Sequence, residues 1–270
     1  MDKGGDLREA MAIVFGPFTV FVILIIGYLA SSQTIKNSYP PPTKLVSVSE
    51  AKVSVPPIKV SSKPGLDFKA VSIEIFMMAK DSPFADHGKI FIEAEAHTRV
   101  RFSFLLAVLT VESDLGKNVG TGNWRDSLSH SDCFKQREAF AKITSKLNLN
   151  PDRMPVSKRT WYGSCGGVMG PAQIMPTTWL LYEQELYRIS TNRIPNPWDI
   201  RDAIFAAAII LRDNGAGHSE MEAALKYLAG PNGTNWQQPE LRFYGEKVIA
   251  LTKKWDGLIK LAARKISKAS

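Results

Sequence analysis

Apolar residues follow one another without a charge from Met11 to Ala30, in the stretch MAIVFGPFTVFVILIIGYLA. A helix needs about 20 apolar residues to cross a bilayer, and a soluble core helix rarely stays apolar on every face. The pattern therefore predicts a transmembrane anchor over residues 11–30. The alternative is a cleaved signal peptide, with small residues at Ala30 to Ser32 as its cleavage site. Signal peptides have shorter apolar cores of about 7–15 residues, which favours the anchor.

The pattern changes after this span. Residues 31–66 are rich in Pro, Ser, Val and Lys, as in SYPPPTKLVSVSEAKVSVPPIKVSSKP. Pro-rich polar sequence is typical of an extended tether, because it has too few apolar positions to form a core. The expected order is a tail at residues 1–10, the anchor, a linker at 31–66 and one globular domain at 67–270.

Helical periodicity dominates that domain, because apolar residues recur every three or four positions. Ser or Pro opens several of the periodic segments, and Gly or Asn closes others. No convincing alternating strand is present, so the sequence predicts a compact all-α domain. The predicted helical segments are residues 82–100, 133–149, 176–189, 197–217, 219–230 and 239–255. The long connections near residues 116–133 and 150–170 are predicted loops, and such loops often line a functional cleft.

One carboxylate has an unusual position in this pattern. Glu112 ends the apolar run of FSFLLAVLTVESDLGKN, and Leu105, Val108 and Leu109 share its helical face. Apolar surroundings favour the neutral form of a carboxyl group, so the pKa of Glu112 should be raised. Such a group can act as a general acid near neutral pH. Taken alone, however, a Glu at this place is more often a helix end emerging into water.

Composition narrows the choice of function. The 270 residues contain 44% hydrophobic residues and carry a net charge of +8, which fits either an anionic partner or a lysine-rich solvated surface. We find no nucleic-acid-binding motif and expect no nucleic-acid partner. Two cysteines and four histidines without tight spacing argue against a structural zinc site.

An ordered set of motifs resembles the peptidoglycan lytic transglycosylases, especially membrane-anchored murein transglycosylases, and the goose-type lysozymes. ESDLG matches their Glu-Ser-x-x-Gly signature, and GGVMGPAQIMPTT resembles Gly-x-x-Gly-x-x-Gln-x-(Met/Ile)-Pro-(Ser/Thr)-(Ser/Thr). Farther on, the chain resembles their Asp-Ala-Ile helix, their Ala-x-x-Tyr-Asn-Ala-Gly-Pro-Gly motif and their closing helix. The segments are residues 112–116, 162–179, 196–217, 224–233 and 240–251.

The resemblance implies an α-rich lysozyme-like fold and assigns roles to individual residues. Glu112 falls on the catalytic acid/base of the family, and Ser113 on the Ser that lines the cleft beside it. Gln173 matches the Gln that contacts the glycan. Tyr227 matches the Tyr whose hydroxyl points at the catalytic carboxyl. Where the family often has Asn, this chain has Leu228, so the resemblance does not extend to the hydrogen bond that this amide makes in the loop.

The implied activity is cleavage of the β-1,4 bond between N-acetylmuramic acid and N-acetylglucosamine, with 1,6-anhydro-N-acetylmuramic acid ends as products. Glu112 would be the single general acid/base, and no metal or cofactor is required. Asp114, Asp126 and Asp132 are other acids nearby, but none has a recognisable catalytic setting. Two alternatives remain: a goose-type muramidase that hydrolyses the same bond, and a catalytically silent protein that binds wall glycan.

The implied substrate also determines topology, which the flanking charges leave undecided. Peptidoglycan strands lie outside the cytoplasmic membrane, so residues 1–10 would be cytoplasmic and the domain would face the wall. Cys133 and Cys165 would then lie in an oxidising space, where we predict a disulfide between the two cleft loops. The expected partners are peptidoglycan and the membrane that holds residues 11–30, with wall-remodelling or secretion-apparatus proteins as further candidates.

Overall fold

The computed structural model describes residues 83–159, 165–190, 192–230 and 239–267. The expected tail, anchor and linker, at residues 1–10, 11–30 and 31–66, lie outside these ranges. So does the start of the expected domain. Within the described ranges, no helix has the length and apolar character needed to span a bilayer.

The described residues form eight α-helices with three short 3-10 segments and only isolated β-bridges. The predicted all-α class is therefore confirmed. The helices are α1 (Gly88–Thr98), α2 (Phe102–Ser113), α3 (Trp124–Ser127), α4 (Phe134–Lys146), α5 (Pro176–Ile189), α6 (Ile200–Asp213), α7 (Glu220–Ala229) and α8 (Pro239–Ser267).

Helix α2 is the centre of the domain. Every residue from Phe102 to Leu109 is buried, and within α2 only Thr110 and Glu112 keep appreciable exposure. A helix that is apolar on all sides must be surrounded by other elements, and α1, α6 and α8 pack around it. The apolar run of the sequence therefore forms a central helix rather than one with a single buried face.

The first predicted helix begins later than the sequence suggested. Ser82 was the expected N-cap and lies outside the described residues. A 3-10 turn at Ala85–His87 precedes α1, which begins at Gly88. Helix α1 ends at Thr98, where Arg99 adopts a left-handed conformation with φ 65°.

An irregular layer connects the residues just before α3 with the segment between α4 and α5. Three isolated antiparallel bridges join Gly122 to Val156, Val156 to Met169, and Met169 to Ile174. The hydroxyl oxygen of Ser157 accepts hydrogen bonds from the backbone N–H groups of Gly167 and Val168, at 3.0 and 3.2 Å. These contacts hold the Gly-rich segment, residues 163–175 with the described part beginning at Cys165, beside the C-terminal end of α2.

A buried carboxylate holds the connection between α5 and α6. Asp202 is fully buried and accepts hydrogen bonds from the hydroxyl of Ser190, the guanidinium of Arg193 and the backbone N–H of Asn196, each at 2.8 Å. Buried charge is tolerated when it is paired and hydrogen-bonded. The connection supports the Gly-rich segment, because the carbonyl of Pro197 lies against Gly170.

Candidate active site

A cleft of about 550 Å³ opens at the C-terminal end of α2. Its walls come from the Gly-rich segment, from α5 and α7, and from the first half of α8. Its lining residues include Glu112, Lys158, Cys165, Gln173, Lys226, Tyr227, Tyr244 and Lys247.

Glu112 faces this cleft because α2 stops one residue later. Asp114 caps the helix in the left-handed region at φ 50°, and Leu115 and Gly116 continue there at 53° and 82°. This turn directs the chain away from the helix axis and leaves the last helical turn open on one side. Glu112 is half-buried, and the surface that it exposes faces the cleft.

The surroundings of Glu112 favour its protonated form. Burial raises the pKa of Glu112 to about 7, although a hydrogen bond from Tyr244 and the positive charge of Lys247 act in the opposite direction. A carboxylic acid with this pKa is present in both protonation states near neutral pH. It can therefore donate a proton in one step and accept one in the next.

Tyr244 is the site residue that sequence reasoning missed. Its hydroxyl donates a hydrogen bond of 2.5 Å to Oε1 of Glu112, although the two residues are 132 positions apart. Tyr244 lies on α8 and is buried, with only 2% of its surface exposed. The i, i+4 spacing of Tyr244 and Val248 is typical of a buried helical face, but nothing in the sequence identifies the carboxylate that this face contacts.

We expect Tyr244→Phe to move the alkaline limb of the pH–activity profile to higher pH. The lost hydrogen bond stabilises the carboxylate form of Glu112, so its removal raises the pKa and keeps the acid protonated at higher pH. Hydrogen bonds to charged groups contribute about 1.5–3 kcal/mol, which corresponds to a displacement of at least about one pH unit. The measurement is kcat/KM between pH 5 and 9 for cleavage of the glycan substrate that the family resemblance implies.

Tyr187→Phe is the matched control, because Tyr187 is 40% exposed on α5 and does not line the cleft. Its pH–activity profile should equal that of the wild type. A Tyr244→Phe profile with an unmoved alkaline limb would show that this hydroxyl does not set the pKa of Glu112.

Tyr227 occupies the cleft, but its hydroxyl has a different partner from the one that the family resemblance implies. The hydroxyl donates to the backbone carbonyl of Ala172 at 2.6 Å and so connects α7 to the Gly-rich segment. Burial, with the charge of Glu112 as a second cause, raises the pKa of Tyr227 well above its usual range. Tyr227 is therefore a neutral side chain close to Glu112, and Tyr244 is the tyrosine hydrogen-bonded to it.

Gln173 lies in the cleft as the sequence suggested. Its backbone is left-handed, with φ 50°, and its side-chain N–H donates to the carbonyl of Gly170 at 2.7 Å. Within the described residues, its amide oxygen has no hydrogen-bond donor. This arrangement leaves an acceptor in the cleft for an N–H or O–H group of a sugar.

Ser113 does not line the cleft, contrary to the sequence-based expectation. It is fully buried, and its hydroxyl accepts a hydrogen bond from the backbone N–H of Gly116 at 2.9 Å. As the neighbour of Glu112 on a helix, it points to a different side. Ser113 stabilises the turn that ends α2 and so acts on the site only through the backbone.

Cys133 and Cys165 form a disulfide. Cys133 is buried in the 3-10 segment before α4, whereas Cys165 begins the described part of the Gly-rich segment and lines the cleft. The bond therefore fastens one cleft wall to the core. A covalent link of this kind limits the conformations open to the wall.

Glu112 is the only Asp or Glu that lines the cleft among the described residues. Asp114 is 43% exposed beside Lys117, and Asp132 is 82% exposed beside His130. Asp126 is also exposed and outside the cleft. None of the three acids near Glu112 in sequence is placed to act as a second catalytic carboxylate.

Comparison with known proteins places this geometry in context. Residues 78–245, more than half of the chain, match the Transglycosylase SLT domain family. No curated protein sequence matches the chain.

Several solved structures resemble the chain, among them the following three. A 36 kDa muramidase/transglycosylase is 13% identical with a TM-score of 0.50, over 73% of this chain and 75% of that one. The Escherichia coli lytic transglycosylase Slt35, in complex with bulgecin A, is 14% identical with a TM-score of 0.49, and the match covers 73% of this chain and 74% of Slt35. The soluble lytic transglycosylase SltB1 from Pseudomonas aeruginosa is 21% identical with a TM-score of 0.42, and the match covers 55% of this chain and 48% of SltB1. The chain thus spans about half the length of SltB1. The likeness to the 36 kDa muramidase/transglycosylase, with its TM-score of 0.50, shows a shared fold.

Proposed function

This chain belongs to the Transglycosylase SLT domain family, and on that premise we propose that it is a lytic transglycosylase of peptidoglycan. The bond cleaved is the β-1,4 bond between N-acetylmuramic acid and N-acetylglucosamine. The observation that carries the proposal is Glu112: a carboxyl group with a pKa of about 7 that lines the cleft without a second carboxylate among the described residues.

The first step is acid catalysis. Protonated Glu112 donates its proton to the bridging oxygen as the bond from that oxygen to C1 of N-acetylmuramic acid breaks. The developing positive charge at C1 is stabilised by the 2-acetamido group of the same sugar. The hydroxyl of Tyr244 stabilises the carboxylate that remains on Glu112.

The second step uses the same carboxylate as a base. Glu112 removes the proton from the C6 hydroxyl of the muramyl sugar while its oxygen bonds to C1, which closes the 1,6-anhydro ring. Glu112 is protonated again, and no water is consumed. Hydrolysis normally needs a second carboxylate to activate water or to act as a nucleophile, and the described part of the cleft supplies none.

Mass analysis of the products tests this proposal. Purified peptidoglycan digested with the protein should release muropeptides that are one water lighter than those from hydrolysis of the same bond. A digest made by a known muramidase on the same peptidoglycan supplies the reference masses. Products with the hydrolytic mass would contradict the ring-closing step and identify the protein as a muramidase instead.

The proposed substrate places the domain on the wall side of the cytoplasmic membrane, with residues 11–30 as its anchor. Support comes from the length and apolar character of that span. Protease added to intact spheroplasts should remove the domain but leave the cytoplasmic tail protected. Protection of the domain until the membrane is lysed would contradict this orientation.

A further inference from the structure

The charged groups of the cleft are strongly unbalanced. Lys158, Lys226 and Lys247 line it from three different elements, whereas Glu112 is its single described acid. Because the pKa of Glu112 is about 7, even this acid is only partly ionised near neutral pH. The described part of the cleft therefore carries an excess of positive charge before any substrate enters.

Two of these lysines lack a carboxylate partner within the described residues. Lys158 is exposed and forms no ion pair there. Lys226 is half-buried on α7, and its ammonium group donates to the backbone carbonyl of Asn214 at 3.4 Å. Segments 160–164 and 231–238, which adjoin cleft residues along the chain, contain no Asp or Glu.

Elsewhere among the described residues, several basic side chains are paired with carboxylates. Arg101 bridges Glu220 and Asp256, and Lys146 pairs with Glu183. Lys247 differs from the other two cleft lysines, because its charge acts on Glu112 and so belongs with the catalytic group. The positive charge at Lys158 and Lys226 has no such function in the proposed reaction.

We propose that Lys158 and Lys226 bind carboxylates carried by the substrate, so that the cleft selects anionic glycan strands over neutral ones. This inference rests on the proposed function. The carboxylate has two sources: the peptide stem attached to the muramyl lactyl group, or the lactyl group itself where the stem has been removed. A strand whose carboxylates have been converted to amides offers neither.

The two lysines contribute to binding rather than to bond cleavage. Neither side chain is hydrogen-bonded to Glu112 or Tyr244, so their attraction for a remote carboxylate is the same in the ground state and the transition state. Uniform binding of this kind lowers KM without changing kcat. Because one of the lysines is exposed and the other half-buried, the attraction should also weaken as salt is added.

The test uses the full chain with Lys158→Met, Lys226→Met and both together. Met keeps an unbranched apolar stem while it removes the charge. Lys89→Met is the matched control, since Lys89 is 89% exposed on α1 and lies outside the cleft. Each protein is assayed on soluble strands with peptide stems, on strands stripped of stems by an amidase, and on stripped strands whose lactyl carboxylates are amidated.

The double variant should raise KM about tenfold on a carboxylate-bearing strand, since each exposed or partly exposed ion pair contributes up to about 1 kcal/mol. Its kcat should stay within about twofold of the wild type. On amidated strands its KM should equal that of the wild type. An effect confined to stem-bearing strands assigns the bound group to the stem, and an effect on stripped strands as well assigns it to the lactyl carboxylate.

Two results would overturn the inference. One is an unchanged KM on both carboxylate-bearing strands, and the other is an equal rise in KM on amidated strands. Wild-type product masses from the same digests report on the proposed function separately. If the wild type forms anhydro products but the lysine variants have an unchanged KM on carboxylate-bearing strands, this inference is wrong and the proposed function is not contradicted.

Discussion

Replacing Glu112 with Gln is expected to lower the rate of peptidoglycan cleavage by at least about a thousandfold, because general acid–base catalysis contributes about 10²–10⁴ and the proposed mechanism assigns both proton transfers to Glu112. Gln is nearly isosteric with Glu but has no transferable proton and no basic oxygen of comparable strength. The fold and glycan binding should survive, since the side chain is half-buried at a cleft surface. The measurement is the rate of anhydro-muropeptide release, with circular dichroism and strand binding as parallel readouts.

Asp114→Asn is the matched control for the Glu112 variant. Asp114 is 43% exposed two residues farther along the chain, and its left-handed backbone is one that Asn also adopts readily. This variant should retain wild-type activity. If Glu112→Gln keeps activity within tenfold of the wild type, Glu112 is not the catalytic acid. A wild-type protein that binds strands but releases no product would identify a silent wall-binding relative.

The second large effect concerns the Gly-rich segment. Gly170→Ala should lower the free energy of unfolding by about 2–4 kcal/mol, from overpacking together with an unfavourable backbone conformation. A Cβ at this position would lie 1.9 Å from the carbonyl oxygen of Pro197, and the residue has φ 61°. The clash is with backbone, which cannot rotate away as a side chain can. Urea unfolding of the variant and the wild type measures the difference.

Two other glycines separate the causes of this destabilisation. Gly215 has φ 93°, but a Cβ added there would have no atom within 4 Å, so Gly215→Ala should cost only the conformational part, about 1 kcal/mol. A Cβ added at Gly217 would also have no atom within 4 Å, and this residue lacks the left-handed backbone, so Gly217→Ala should be close to neutral. A Gly170→Ala variant no less stable than Gly217→Ala would show that the segment can move away from Pro197.

The structural change expected for Gly170→Ala should also alter the active site. The carbonyl of Gly170 accepts the side-chain hydrogen bond of Gln173, and Ala172 accepts that of Tyr227. A shift of this segment therefore changes two cleft side chains together. The stability of the wall and the geometry of the cleft depend on the same backbone contact.

The sequence predicted helix bounds well where a helix begins or ends at a recognisable capping residue. The segment at residues 176–189 begins with a Pro and has helical periodicity, and α5 has these bounds. Ser219 caps α7 by accepting a hydrogen bond from the N–H of Glu222, and Gly230 follows its last residue. Caps and i, i+3, i+4 spacing act between neighbours in the chain, so the sequence carries them directly.

The sequence-based predictions were wrong where tertiary packing determines which residues are buried and where a helix begins. Phe134 and Phe140 both belong to the apolar positions of the predicted segment 133–149, yet Phe140 is buried and Phe134 is 48% exposed at the start of α4. The first helix begins at Gly88 because a 3-10 turn takes the preceding residues. The helices packed around a periodic segment determine which of its turns is buried, and periodicity alone does not contain that information.

By itself, the sequence determined the all-α class and the family, and it singled out Glu112 as the proposed acid, because these depend on local periodicity and on short motifs in order. Only the tertiary structure decided that Ser113 is buried beneath the site and that Tyr227 bonds to Ala172. It also decided that Tyr244, 132 residues from Glu112, provides the hydrogen bond to the acid. Contacts between distant segments follow from how whole helices pack, and the raised pKa of Glu112 follows from the burial that this packing creates.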